Sequence, residues 1–156
     1  MTDLIRMLPL LKGWVYESKV EGNVTIGAGD KWTAFDKYKK GWVWTAFASL
    51  SSNLAAVNLV YDDYVTVSAS PYSLYYYGLT APASNGMFCP KYSAGPPPLY
   101  TVVSFPVDPI PFNKHVVVTI SNPTALPVVM YSYAHLLIII EDEDAFRESI
   151  KKVLTQ

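Results

Sequence analysis

The stretch from Asn23 to Asp63 constrains the fold more than any other part of the chain, because it holds four short strand-like runs separated by turn residues. The breaks are rich in glycine, lysine, serine and asparagine, and apolar residues alternate with others between them, as in antiparallel strands with one buried face. Parallel strands need a crossover of about a dozen or more residues, usually a helix, and this stretch leaves no room for one. The stretch therefore predicts an antiparallel sheet.

Two of these runs indicate which residues share a face. One side of the first run carries Trp42, Trp44, Ala46, Ala48 and Leu50, and the other carries Val43, Thr45, Phe47 and Ser49. After a break at residues 51–53, the second run places Ala55, Val57, Leu59 and Tyr61 on one side. We expect the two runs to be neighbouring strands of a meander or hairpin, and the pair Asp62-Asp63 to end the second one.

Length and composition favour one domain built on a single core. Of the 156 residues, 51% are hydrophobic and only 16% are charged, whereas a typical soluble domain has about 25% charged residues. The twelve tyrosines and twelve prolines suit β-strands with structured loops. The net charge of −1 gives no general electrostatic reason to bind nucleic acid or an anionic membrane. We expect part of the apolar surface to be covered by partners.

The two ends of the chain are predicted to differ from the sheet domain between them. Residues 1–13 form an arm whose leucines either pack onto the domain or reach a neighbouring subunit. Residues 14–140 form the β-sandwich, which closes with the apolar run 128–140. Because the last part of that run does not alternate, we expect a central strand buried on both faces. The run is too short and too polar for a transmembrane helix.

Further strands and one long loop are predicted between these ends. The additional strand candidates are residues 14–20, 64–68, 99–105 and 115–121. Residues 79–98 hold most of the turn chemistry and are expected to form a long loop that either acts or makes contacts. Residues 106–111, rich in proline, are expected to form a turn.

The C-terminal residues 141–156 predict an amphipathic helix. Acidic residues lead the segment and lysines close it, which complements the helix dipole. One face carries Phe146, Ile150, Val153 and Leu154. Since a helix of this length is marginal alone, that face must be buried, either against the sheet of the same chain or against a partner.

The histidines and the cysteine do not form a recognisable metal-binding or nucleophilic pattern. His115 and His135 lie on different predicted strands, without the paired His-x-His that a cupin would carry. Cys89 is the single cysteine, and its Phe-Cys-Pro setting offers no local base, which favours an inert thiol. We expect no metal and no cofactor.

The carboxylates give no stronger indication of an enzyme. A glycosidase-like pair could be drawn from Asp62, Asp63 and Asp108. However, Asp62 and Asp63 fall in a predicted hairpin turn, where aspartate is favoured for local hydrogen bonding. We therefore expect a protein that is not an enzyme.

Tyrosines are dense around the predicted long loop. They are Tyr72, Tyr75, Tyr76, Tyr77, Tyr92 and Tyr100. Such rings either pack the ends of the sandwich, or form a protein interface, or bind a glycan, because rigid amphipathic rings suit all three roles. The interface residues that we predict are Tyr75, Tyr77, Tyr92, Phe146, Ile150 and Leu154.

A family resemblance follows from residues 24–62. Val24-x-Ile26-x-Ala28-Gly29 is followed by Phe35-Asp36, by Lys40-Gly41-Trp42-Val43, by an alternating strand with a Ser/Asn turn, and by Val57-x-Leu59-x-Tyr61-Asp62. This order resembles the opening of β-sandwich virion proteins of viruses that infect bacteria and archaea. The chain departs from that pattern by carrying Asp62-Asp63 where Asp-Gly is expected.

The resemblance implies a jelly-roll-like or related sandwich. Together with the strand and helix patterns above, it predicts an all-β protein, an antiparallel β-sandwich that is jelly-roll-like, with one C-terminal α-helix. It also implies a non-enzymatic virion component, in a capsid, turret, tail or fibre, that assembles as a homo-oligomer or with other virion proteins. The alternative is a carbohydrate-binding or host-attachment module that binds a host glycan through the tyrosine-rich loops.

Overall fold

In the computed structural model, which describes residues 8–63, 65–81, 86–104 and 110–155, two antiparallel sheets pack face to face. The strands are β1 (Trp14–Ile26), β2 (Lys31–Lys37), β3 (Lys40–Leu50), β4 (Ala56–Tyr61), β5 (Val65–Ala69), β6 (Met87–Ser93), β7 (Leu99–Ser104), β8 (Ile110–Phe112), β9 (Val116–Ser121) and β10 (Val128–Ile140). The helices are α1 (Pro71–Tyr76) and α2 (Glu143–Leu154). The all-β sandwich with a C-terminal helix, predicted from the sequence, is confirmed.

The strands pair in a nested order. One sheet runs β1-β10-β3-β7-β6, with the short strand β8 beside β3, and the other runs β2-β9-β4-β5. Apart from β6 and β8, the first strand along the chain pairs with the last, and the pairing continues inward in this way. The pairs are β1 with β10, β2 with β9, β3 with β7, and β4 with β5. With β6 and β8 set aside, the order is that of one long hairpin rolled into two sheets of four strands each, which is the strand order of a jelly roll.

Strand β10 is the central strand that its sequence predicts. It lies between β1 and β3, and Leu137, Ile138 and Ile139 are buried in succession. Leu137 and Ile139 belong to the core between the two sheets. Ile138 points the other way, into a second apolar cluster on the outer face. Both faces of this strand are therefore covered.

A bulge in β3 changes the faces that alternation predicts. Opposite β10 the pairing passes from Thr45 directly to Val43, so Trp44 is the additional residue. The extra residue reverses the alternation. Trp42 and Trp44 therefore pack against the outer cluster. Val43 faces the core between the sheets, as Ala48 and Leu50 do. The prediction that both tryptophans share a face with Ala48 and Leu50 is wrong.

The pairing predicted for β3 and β4 is also wrong. The two strands lie in different sheets, β3 beside β10 and β7, and β4 beside β9 and β5. Residues 51–55 cross from one sheet to the other, as jelly-roll connections do. The buried positions within β4 are as predicted, because Val57 and Leu59 both face the core.

The predicted loop at residues 79–98 contains a strand. Met87–Ser93 forms β6 at the edge of the larger sheet, beside β7. Pro90 is tolerated because an edge strand leaves one side of its backbone unpaired, and the pairing shifts register there. The strand that begins at Trp14 also continues through Ile26, beyond its predicted end. Residues 1–7 of the arm, residues 82–85 of the loop, and residues 105–109, which include Asp108, lie outside the described residues.

The N-terminal segment and α2 cover the outer face of the larger sheet. Leu8 and Leu11 are buried with Ile138 and Phe146 in the outer cluster. The backbone nitrogen of Lys12 donates to Ser149 Oγ at 3.1 Å, which ties the segment to the helix. Of the two alternatives, the described part of the arm packs onto its own domain, and α2 packs on its own sheet.

Gly41 is the position where this packing leaves least room. A Cβ atom there would lie 2.0 Å from the carbonyl oxygen of Ile138 and 3.1 Å from the ring of Phe112. We expect Gly41→Ala to lower the free energy of unfolding by about 1–3 kcal/mol, because neither backbone nor ring can move without disturbing the core. Urea unfolding measures the change.

Gly95 provides the matched control. A Cβ there would meet only Ser93 Oγ, at 3.9 Å. Gly95→Ala should therefore change the free energy of unfolding by less than about 0.5 kcal/mol. Equal effects of the two substitutions would contradict the close contact between β3 and β10.

Candidate functional site

Helix α1 begins and ends with clear local signals. Ser70 is its N-cap, and a capping box joins the Ser70 hydroxyl to the Ser73 backbone and the Ser73 hydroxyl to the Ser70 backbone. Pro71 occupies the first turn, where its missing N–H removes no helical hydrogen bond. Gly78 follows the helix with φ of 74°, a conformation that favours glycine. These signals stop the helix after six residues.

The helix is anchored on its inner side. Pro71 and Leu74 are buried, and the backbone nitrogen of Tyr72 donates to the carbonyl oxygen of Asn53 at 2.8 Å. After the helix, the carbonyl oxygen of Leu79 accepts from the Cys89 backbone nitrogen in β6 at 2.8 Å. The tyrosines on the outer side are therefore presented by a fixed backbone.

The outer side of α1 forms what we call the tyrosine surface. Its members are Tyr72, Tyr75, Tyr76, Tyr77 and Tyr92. The rings of Tyr75 and Tyr92 stack with centroids 4.2 Å apart, and Tyr72 packs on Tyr76 at 4.5 Å. Tyr76 is 66% exposed and Tyr77 is 82% exposed. The surface combines rigid packing at its base with ring area open to solvent.

Hydrogen bonds and a further ring fix the base of this surface. Asn53 Nδ2 donates to the Tyr92 hydroxyl at 2.7 Å. On the side toward β7, Tyr100 packs edge-on against Tyr92, with centroids 4.9 Å apart. Tyr100 is itself buried. The tyrosine surface thus continues into the sandwich without a break.

The structure brings some of the predicted interface residues together and separates others. Tyr75 of α1 and Tyr92 of β6 stack on each other, and Tyr77 is the C-cap residue of α1. Phe146 and Ile150 pack instead on the larger sheet, where Phe146 is buried within its own chain. Leu154 lies near the end of α2 and is 72% exposed. Contacts of these residues with a partner remain a prediction.

A second cluster lies at one end of the smaller sheet, around His115. Its ring nitrogen Nδ1 lies 2.5 Å from Asp63 Oδ1, and Nε2 lies 2.7 Å from Asp36 Oδ1. The ring of Tyr38 stacks on the imidazole with centroids 3.9 Å apart. His115 is 9% exposed at its side chain, whereas both carboxylates are mostly open to solvent. Hydrogen bonds to Asp63 and Asp36 raise the pKa of His115 and outweigh burial, which lowers it.

Asp62 holds the neighbouring turn. Its carboxylate accepts hydrogen bonds from the backbone nitrogens of Asn113, Lys114 and His115, at 2.7–3.3 Å. Desolvation raises the pKa of Asp62, but these backbone hydrogen bonds outweigh it and keep the pKa below its usual value. The predicted turn at Asp62-Asp63 is present, and both residues adopt positive φ. Their side-chain hydrogen bonds run to residues 113–115, in the connection between β8 and β9, and not within their own turn as predicted.

Sequence reasoning missed the assembly around His115. Asp36 and Tyr38 are close in sequence, but Asp63 and His115 come from distant segments. Only the pairing of β2 with β9 and of β4 with β9 brings the three segments side by side. The helix α1 was missed too, although Ser70-Pro71 and Gly78 are an N-terminal and a C-terminal signal.

His135, in contrast, lies in the core. It is buried, its Nδ1 lies 3.2 Å from the Tyr133 hydroxyl, and its Nε2 has no hydrogen-bond partner among the described residues. The ring of Phe35 packs edge-on against it at 4.5 Å. Desolvation by burial lowers the pKa of His135 to about 4. The residue is therefore neutral at physiological pH and serves packing.

A cleft of about 370 Å³ opens between the N-terminal segment and α2. It is lined on one side by Leu10 and Lys12, and on the other by α2 residues that include Glu148, Lys152 and Val153. Leu10 is 62% exposed at its mouth. The lining of the cleft is mixed in polarity.

The described residues carry no group of three His, Cys, Asp or Glu that could hold a metal ion. Within the same residues, no helix has the length and apolar character needed to cross a membrane. Cys89 is buried, and burial raises the pKa of its thiol.

Comparison of the chain with protein-family models gives no match, and comparison with curated proteins gives none either.

The depressed pKa of His135 predicts how stability changes in acid. Because the folded pKa of about 4 lies below the ordinary histidine value of 6.5, the unfolded state binds more protons between these values, and the free energy of unfolding rises with pH there. The contribution of His135 over this window is about 3 kcal/mol. We expect His135→Leu to remove it, as measured by urea unfolding from pH 4 to 6.5. Identical pH slopes in both proteins would contradict the neutral buried histidine.

Proposed function

We propose that the chain is a non-enzymatic structural protein of a virion, a component of a capsid, turret, tail or fibre, and that it assembles through contacts with copies of itself or with other virion proteins. It acts in the virion, without cofactor, metal or nucleic acid. The observation that carries the proposal is the nested strand order, β1 with β10, β2 with β9, β3 with β7 and β4 with β5. Double-sheet jelly rolls with this order include viral capsid domains, lectins and cupins.

These classes of protein share the fold, so the choice among them rests on the side chains that the surface presents. The segment Ser70–Leu79 has no charged residue and carries four tyrosines. Tyrosine is enriched where protein interfaces gain most of their energy, because its ring adds contact area with few rotatable bonds. The exposed rings of Tyr76 and Tyr77 are carried by the last residue and the C-cap of a capped helix, so binding need not order the backbone that presents them. These features favour a protein contact.

Helix α2 is less suitable as the assembly contact that tests this proposal. Its apolar face covers Trp42 and Trp44 of the same chain. Removal of the helix would expose these rings and would change solubility whether or not α2 contacts a partner. Substitutions on the tyrosine surface avoid this ambiguity, because the exposed rings bear little of the fold.

We expect the purified chain to form a defined oligomer, with a mass by light scattering that is a multiple of 17.3 kDa. The double substitution Tyr76→Ser and Tyr77→Ser should shift this mass toward the monomer, because it removes the two most exposed rings of the tyrosine surface. Circular dichroism would establish that the variant keeps its sheets.

Tyr16→Ser is the matched control, since Tyr16 is also an exposed tyrosine (55%) but lies on β1, in the other half of the chain. It should leave the mass unchanged. A wild-type monomer at all concentrations, or an equal loss of mass in the control, would argue against assembly through the tyrosine surface.

Carbohydrate binding is the second candidate, and the exposure of the tyrosine rings favours it specifically. An uncharged aromatic platform with hydroxyl groups at its rim can stack on the apolar face of a sugar ring and donate hydrogen bonds to its hydroxyls. Tyr72 and Tyr76 lie one turn apart on α1 and present such a platform. The chain would then act in host attachment.

A glycan screen on immobilised wild-type chain tests this second candidate. We expect binding of neutral glycans to be lost in Tyr76→Ser and retained in Tyr16→Ser, because only the first removes an exposed ring from the platform. The absence of any bound glycan, with an oligomer present in solution, would leave assembly as the role of the tyrosine surface.

A further inference from the structure

We propose that Asp36, His115 and Asp63 form a proton-operated clamp at one end of the smaller sheet, closed when the imidazole is protonated and opened by loss of one proton to solvent. The clamp goes beyond the proposed function, since it concerns the stability of one chain whether or not that chain assembles.

Three segments meet at the clamp. Asp36 belongs to β2, Asp63 to the turn between β4 and β5, and His115 precedes β9. The backbone nitrogen of Asp62 also donates to the His115 carbonyl oxygen, at 2.7 Å. The clamp therefore joins the turn after β4 to β2 and to the residue that precedes β9.

The chemistry of the imidazole makes the clamp depend on a proton. A carboxylate only accepts hydrogen bonds, and both ring nitrogens donate only when the imidazole is protonated. The distance of 2.7 Å to Asp36 is that of a charge-assisted hydrogen bond, and Asp63 lies within hydrogen-bonding distance of the other ring nitrogen. When the proton leaves, one nitrogen presents a lone pair to a carboxylate oxygen. One of the two links is then replaced by repulsion.

The charged and titratable groups around His115 support the protonated form. From β2 the ring meets Asp36, and from the β4–β5 turn it meets Asp63. Asp62 of that turn accepts from the backbone of His115 and of the neighbouring Lys114. Tyr38, which follows β2, covers the ring face. Negative charge thus outweighs positive charge at the ring nitrogens.

The raised pKa of His115 gives the direction of the pH effect. The pKa of His115 in the folded chain lies above 6.5, its ordinary value, so the clamp contributes its full stabilisation below pH 6.5 and loses it as pH rises through the folded pKa. Each unit of difference changes the folding constant by about tenfold. His135, the other of the two histidines, stays neutral throughout this range. A loss of stability as pH rises through the folded pKa therefore reports on His115 and not on His135.

The test combines a histidine titration by NMR with hydrogen exchange on the full chain. His115→Gln identifies the His115 resonance by its disappearance. We expect a His115 pKa above 6.5, and we expect the protection factor of the Asp62 amide to fall about tenfold per pKa unit as the ring deprotonates. In His115→Gln the protection of the Asp62 amide should show no such fall, because that variant has no imidazole at this position to titrate.

Asp63→Asn and Asp30→Asn supply the matched pair, since both aspartates lie in exposed turns between strands. Asp63→Asn should lower the pKa of His115 toward 6.5, and Asp30→Asn should leave it unchanged. A His115 pKa at or below 6.5 would overturn the proposal. So would an elevated pKa without any change in the protection of Asp62, because the ion pairs would then not hold the turn.

Discussion

The architecture depends on the burial of β9 and β10 in the middle of the two sheets. β10 separates β1 from β3, and β9 separates β2 from β4. Without them neither sheet would be continuous, and β1 and β2 would have no described strand beside them. The core between the sheets is built largely from side chains of these two strands and of their neighbours. Every other feature, from the tyrosine surface to the cluster at His115, is positioned by this arrangement.

Local pattern in the sequence was enough to predict the type of each long element. The apolar run at residues 128–140 and the acidic-to-basic order of residues 141–156 correspond directly to β10 and α2. What local pattern cannot supply is the partner of each strand. β3 and β4 are consecutive and both alternate, yet they lie in different sheets, since the nested order is decided by the core as a whole. The bulge at Trp44 was hidden for a similar reason, because it depends on the register with β10.

The candidate sites also differ in how far the local sequence pattern predicts them. The tyrosines of α1 are close in sequence, so their clustering could be predicted, although the helix that orders them was not. The contacts of His115 join residues 52 and 79 positions apart. No spacing rule covers such distances, and only the strand pairing brings the groups together. The two histidines also illustrate how environment overrides residue type, since one is held beside carboxylates and the other is buried among rings.

The nested order has a consequence for how the chain reaches its structure. The two strands that fill the middle of the sheets, β9 and β10, are the last two along the chain. β1 cannot pair until β10 is present, since Trp14 lies opposite Ile140. During synthesis, therefore, the early strands leave the ribosome before their central neighbours exist. Proteins dominated by such distant pairings fold in about milliseconds to seconds, more slowly than helical bundles. Because translation proceeds from β1, the two sheets can be completed only after β9 and β10 have left the ribosome.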